Sequence, residues 1–145
     1  MIYYTKKSTK KISVEELDEV IVYASKYLDI NNEILLKISF TSSIDPVFGY
    51  YEGIDDDEYQ ITINSKISYE DIVETLFHEL VHLSQHIRGD FDQDMRMWKG
   101  KKYDSSYFDL PWEKEAFYHQ EIMMEEYRNN EKVSHGTRIK MGRPL

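Results

Sequence analysis

The stretch Glu74-Thr75-Leu76-Phe77-His78-Glu79-Leu80-Val81-His82-Leu83-Ser84-Gln85-His86-Ile87-Arg88-Gly89 decides the reading of this chain. Ile72, Leu76, Leu80, Leu83 and Ile87 recur at three- and four-residue spacing, the period of an amphipathic helix. His78 and His82 lie four residues apart, just over one turn, so both side chains leave one face, one above the other. That face is not the apolar one. The stripe is therefore expected in the core and the histidines along a cleft. Two neutral imidazoles at this spacing can take two corners of a tetrahedral zinc site. Glu79 sits about 100° round the helix from His78. There it can reach a metal-held water as general base, but it is poorly placed to be a third ligand. Both helix ends are also written in the sequence. Ser68 is an N-cap with Asp71 at capping-box spacing, Arg88 suits the last turn, and Gly89 closes it.

Working outward, 145 residues suffice for one domain with a real core. With no cysteine, disulfides and thiolate metal sites are excluded, so any zinc must be held by histidine, carboxylate and water. No run approaches the roughly 20 apolar residues of a membrane span. Met1-Ile-Tyr-Tyr-Thr-Lys-Lys lacks the apolar stretch of a signal peptide. A cytoplasmic protein with no membrane partner is the expectation. The net charge of −9 is unevenly spread: residues 1–11 and 132–145 each carry four basic residues and no acid, which leaves −17 on residues 12–131. An acidic body between two basic ends repels phosphates, which argues against nucleic acid as the main partner. Twelve tyrosines suit cleft walls and half-buried sheets without naming a ligand.

In chain order, residues 1–12 form a basic N-terminal arm or a short first strand. Residues 13–128 form the single domain, and 129–145 a basic C-terminal tail. Ser13 caps a helix that runs to about Leu28, with Val14, Leu17, Ile21, Ala24, Tyr27 and Leu28 as its apolar positions. Strands are expected at 34–41, 47–53 and 58–64, the last alternating apolar and polar as Tyr59-Gln60-Ile61-Thr62-Ile63-Asn64. The acidic run Asp55-Asp56-Asp57 between the last two fits a solvated hairpin tip; without a loop glycine it does not match an EF-hand. Residues 90–110, with Asp92, Asp94 and several aromatics, make a long connection. Pro111 opens a last helix to about Arg128, with Trp112, Ala116, Gln120, Met123 and Tyr127 on one face. The fold class is α+β: an N-terminal helix, a small, mostly antiparallel sheet, the His78–His82 helix and a C-terminal ligand helix.

A catalytic zinc usually takes three protein ligands. His86 is about 12 Å along the axis from His78, too far to share an ion with both histidines. His135 falls in the tail. On the helix after Pro111, Glu113 and Glu115 lie about 200° apart, so only one can face a metal. Glu113 shares its face with Ala116, a small residue that lets two helices approach, and is favoured. Glu115 shares its face with His119 and stays open as the alternative.

These residues, HELVHLSQH followed by PWEKEAF, resemble the gluzincin-type zincin metallopeptidases, and among them the small ImmA/IrrE-like and phage or bacterial metallopeptidases. The resemblance covers residues 68–128, and the front half by order of elements only. It implies a zincin-like fold, Zn²⁺ as cofactor, His78, His82 and Glu113 as its ligands, and Glu79 as general base. Many members place Asp or Asn directly after the alanine of the second motif, where this chain has Phe117.

The expected function is hydrolysis of peptide bonds in a peptide or protein substrate. Tyr107, Tyr103, Tyr118 and His119 are candidates for the oxyanion donor, and Tyr59–Asn64 is the strand expected to pair with substrate. Two alternatives belong to other classes: a non-catalytic zincin-fold binding or structural protein that uses zinc as a staple, and a nucleic-acid-associated regulator that uses the basic ends.

Overall fold

A computed structural model describes residues 2–5, 9–91 and 97–140, with residues 2–5 and 131–140 as backbone alone. Asp92, Asp94 and Met95 of the long connection lie outside the described residues. The elements are β1 (Ile2–Thr5), α1 (Val14–Tyr27), β2 (Leu35–Thr41), β3 (Gly49–Asp55), β4 (Glu58–Asn64), α2 (Tyr69–Ile87), a short hairpin of β5 (Met97–Trp98) and β6 (Lys101–Lys102), a 3-10 turn at Tyr107–Asp109, and α3 (Pro111–Lys140). This is an α+β protein. Among the described residues, no helix is long and apolar enough to cross a membrane.

The main sheet has the order β1-β2-β4-β3 and is mixed. β1 and β2 run parallel, as do β2 and β4; only β3 and β4 are antiparallel. This corrects the expectation of a mostly antiparallel sheet, and connectivity gives the reason. A helical crossover through α1 makes β1 and β2 parallel neighbours. The β3–β4 hairpin then inserts its second strand beside β2 and leaves its first at the edge. Position in the chain does not show which strand of a hairpin goes inside. Ile2–Thr5 is thus a strand of the sheet, and Lys6, Lys7 and Ser8 of the expected arm lie outside the described residues.

The register aligns Ile38 with Ile61, Phe40 with Ile63 and Tyr51 with Ile61, so one sheet face is a continuous apolar surface. It shares a single core with α1, α2 and α3. α1 begins with a full capping box between Ser13 and Glu16 and buries Leu17, Val20, Ile21 and Ala24. Val14, expected inside, is exposed in the first turn.

α2 is the centre of the molecule. Ser68 accepts from the Asp71 amide at its start, and thirteen of its nineteen residues are buried. An amphipathic stripe understates this: the sheet covers one side of α2 while α1 and α3 cover the other. Phe77, fully buried, meets Tyr23 of α1 at 5.5 Å and Tyr127 of α3 at 5.7 Å between ring centroids. Phe77→Ala is expected to cost about 3–5 kcal/mol. Thermal or denaturant unfolding of the metal-free protein checks this, and a loss below about 1 kcal/mol would mean that Phe77 does not join the three helices.

Pro111 opens α3, which buries Trp112, Ala116, Gln120, Met123 and Tyr127 on the expected face. Arg128 near the far end of the packed part pairs with Glu70 of α2. The helical backbone continues to Lys140, beyond the expected end near Arg128. Apolar periodicity stops at Tyr127, but no proline follows before Pro144 to break the helix. Residues 141–145 of the expected tail lie outside the described residues.

Candidate metal centre

α2 and α3 cross with Ala116, which has no exposed surface, at the contact; a larger residue there would hold the two helices apart. This approach brings Glu113 onto the histidines. Glu113 Oε1 lies 2.9 Å from His78 Nε2 and 3.1 Å from His82 Nε2. Among the described residues, these three form the one group of His, Asp and Glu donor atoms that converge within 4.8 Å of one another, and all three residues are buried. Glu115 does not join them. Its Oε1 accepts from Arg88 at 2.6 Å and from Gln85 at 3.2 Å, toward the C-terminal end of α2. His86 also points elsewhere, its Nδ1 2.7 Å from the Tyr51 hydroxyl.

The electrostatics follow from burial and proximity. Burial alone would raise the Glu113 carboxyl, but hydrogen bonds from His78 and His82 and their charge hold it down to about 2. Burial would lower His82, but its hydrogen bond to Glu113 and the charges of Glu79 and Glu113 outweigh that and raise it. Glu79, at 6 % exposure, is raised by burial; the two histidines pull it down and Glu113 pushes it up again. A carboxylate raised in this way accepts a proton more readily than a solvated one.

Of the four oxyanion candidates, only Tyr107 reaches the centre. It lines the same cleft as His78 and Glu79, and burial, then the charges of Glu113 and Glu79 and a hydrogen bond to Glu113, raise its pKa. The 3-10 turn presents it from across the cleft, and its ring packs against Phe108 and Phe117. Tyr103 packs on Trp112 in a separate aromatic cluster, Tyr118 is exposed, and His119 Nδ1 lies 2.9 Å from the Tyr27 hydroxyl.

Two site residues were not foreseen. His78 Nδ1 lies 2.6 Å from Gln120 Oε1, and His82 Nδ1 lies 2.8 Å from Gln85 Oε1. Phe117, at the position where the resembling proteins place Asp or Asn, lays its ring on His78 at 4.6 Å between centroids. The signals were present: Gln85 follows His82 by three residues, and Gln120 is a polar residue in an otherwise apolar stripe.

The donor set suits zinc, with two imidazole nitrogens turned inward, one carboxylate oxygen and no thiolate. Tetrahedral bonds of 2.0–2.1 Å need donors about 3.3–3.4 Å apart. The separations from Glu113 Oε1 to the two histidine nitrogens, 2.9 and 3.1 Å, have to open by a few tenths of an ångström. His78 and Glu79 form one wall of an open cleft of about 230 Å³, bounded also by Val47, Phe48, Gly49, Tyr107 and Phe117. A larger hollow of about 410 Å³ lies at the other end of β3, between the acidic hairpin tip and His86, away from the converging donors.

The cleft is flanked by β3. Gly49 packs so closely on Thr75 of α2 that a Cβ there would come within 2.6 Å of its methyl. Tyr51 lies beside His82, at 6.4 Å between centroids. β4 lies between β2 and β3, so both its edges are already paired. Tyr59–Asn64 therefore cannot accept a further strand, which corrects the expectation; the edge strand beside the site is β3. Comparison with known protein families, with curated proteins and with solved structures finds no match to this chain.

Proposed function

We propose that the protein is a zinc-dependent metallopeptidase that hydrolyses peptide bonds. One observation carries the reading: His78 Nε2, His82 Nε2 and Glu113 Oε1 converge beside a buried Glu79 on the wall of an open cleft. The order of elements, a sheet followed by the HExxH helix and then a carboxylate-bearing helix, supports the zincin-like fold. Bound zinc would polarise the scissile carbonyl and bring the pKa of water toward 7. Glu79 takes the proton of the attacking water and passes it to the leaving amine. Tyr107, across the cleft, donates its O–H to the oxygen that gains charge. An extended peptide is held by strand addition to the open edge of β3, whose main-chain groups pair with it regardless of sequence.

Metal analysis of the purified protein tests the first half of the reading: about one zinc per chain is expected. Cleavage of a broad peptide library and of an unfolded protein tests the second. Zinc without cleavage of any substrate would leave a metal-stapled binding protein in place of an enzyme. Tyr107→Phe keeps the ring against Phe117 and removes one donor. It is expected to lower kcat by about 10²–10³-fold with little change in KM. Steady-state kinetics on the best library substrate checks this, and an unchanged kcat would exclude Tyr107 as the oxyanion donor.

A further inference from the structure

We propose that Gln85 and Gln120 are positioning residues for the metal ligands: their side-chain oxygens accept the Nδ1 protons of His82 and His78 and so commit Nε2 of each ring, the atom beside Glu113, as the ligand atom. The inference rests on the zinc-site reading above and assigns two residues to it that the His-Glu pattern does not contain.

The orientation of Gln85 is forced by its surroundings. The residue has no exposed surface. Its Nε2 lies 3.0 Å from the Trp112 carbonyl oxygen and 3.2 Å from Glu115 Oε1. A carbonyl and a carboxylate can only accept, so the amide nitrogen must face them and the amide oxygen must face His82. Arg88 fixes that carboxylate in turn, holding Glu115 at 2.6 Å and Asp90 at 2.7 Å. The Gln85 oxygen carries no proton. Its 2.8 Å contact with His82 Nδ1 is therefore a hydrogen bond only if Nδ1 holds one. With Nδ1 committed to that bond, Nε2, the atom beside Glu113, is the ring nitrogen left to bind an ion. A reversed amide would set oxygen against oxygen at both Trp112 and Glu115.

Gln120 performs the same task for His78. It sits seven residues after Glu113, two turns along the same face of α3, and its oxygen is 2.6 Å from His78 Nδ1. Phe117 fills the position between with an aromatic ring on His78, so the polar contact moves one turn further along α3. Trp112 and Glu115 flank Glu113, so the first turn of α3 delivers a ligand to the site and at the same time clamps the residue that orients another. Both orienting groups are neutral amides and add no charge to the centre.

Zinc affinity by chelator competition, together with ¹H–¹⁵N spectra of zinc-loaded protein labelled at histidine, tests the proposal on wild type, Gln85→Leu, Gln120→Leu and Gln120→Glu. Wild type is expected to bind zinc and to show two exchange-protected Nδ1–H signals. Each leucine variant should bind zinc roughly 10–100-fold more weakly and lose the protection of its own histidine only. Gln120→Glu, which restores an acceptor, should recover both readouts. Circular dichroism reports whether each variant folds, and if Gln85→Leu does not, the two Gln120 variants decide. If wild type binds no zinc, the zinc-site reading itself fails. If wild type binds zinc and both leucine variants bind within about twofold of it, or Gln120→Glu recovers nothing, the positioning role is overturned.

Discussion

Glu79→Gln is expected to abolish peptide hydrolysis while zinc stays bound. The substitution keeps the size and planarity of the side chain and removes only its capacity to take a proton. Glu79 is not among the three converging donors, so the ligand set is untouched. General-base assistance contributes about 10²–10⁴-fold, and the loss in kcat should fall in that range. Burial raises the carboxyl of the native residue, so the neutral amide is well tolerated at this site and stability should hold or rise slightly. Cleavage of an unfolded substrate, measured beside metal content and melting temperature, separates the outcomes. Activity retained with zinc bound would remove Glu79 from the chemistry; activity lost together with zinc would make it a structural part of the site.

The helices were legible because their signals are local. Ser13, Ser68, Gly89 and Pro111 mark ends by chemistry that neighbours in sequence complete, and the stripes on α2 and α3 repeat at the helical period. The histidine pair was legible for the same reason, since i and i+4 meet on any helix. Glu113 could be favoured over Glu115 because the two residues diverge round one helix, and the small Ala116 marks the face that approaches α2. Sheet order was not legible. Whether β3 or β4 lies inside depends on which of them fits beside β2, a contact between segments about twenty residues apart. The strand expected to pair with substrate was therefore one whose two edges are already taken. Gln85 and Gln120 were missed for a related reason: an amide acquires its role from what lies opposite, and here that is an imidazole on α2 with, for Gln85, a carbonyl on α3.

Glu113→Ala is expected to remove zinc binding at micromolar metal, whereas Glu115→Ala should leave the ligand set intact. The two carboxylates are two residues apart and serve different partners. Glu113 Oε1 touches both ligand nitrogens, and its low pKa of about 2 keeps it ionised at any working pH. Without it the site keeps two imidazole donors and loses its one carboxylate ligand. The affinity loss should therefore exceed the roughly 10–100-fold that follows removal of a group that only orients a ligand. Glu115 instead accepts from a half-exposed Arg88, a kind of pair worth about 0–1 kcal/mol, and one of two acceptors that hold the Gln85 amide. Its removal should weaken zinc by a few-fold at most, because the Trp112 carbonyl still fixes the amide. Thermal shift gives the readout. Ligand at 100 times its Kd stabilises a folded protein by about 2.7 kcal/mol, so added zinc should raise the melting temperature of wild type and Glu115→Ala clearly and that of Glu113→Ala hardly at all. The reverse pattern would transfer the third-ligand role to Glu115 and require α3 to rotate when metal binds; equal shifts in all three proteins would place the bound zinc elsewhere.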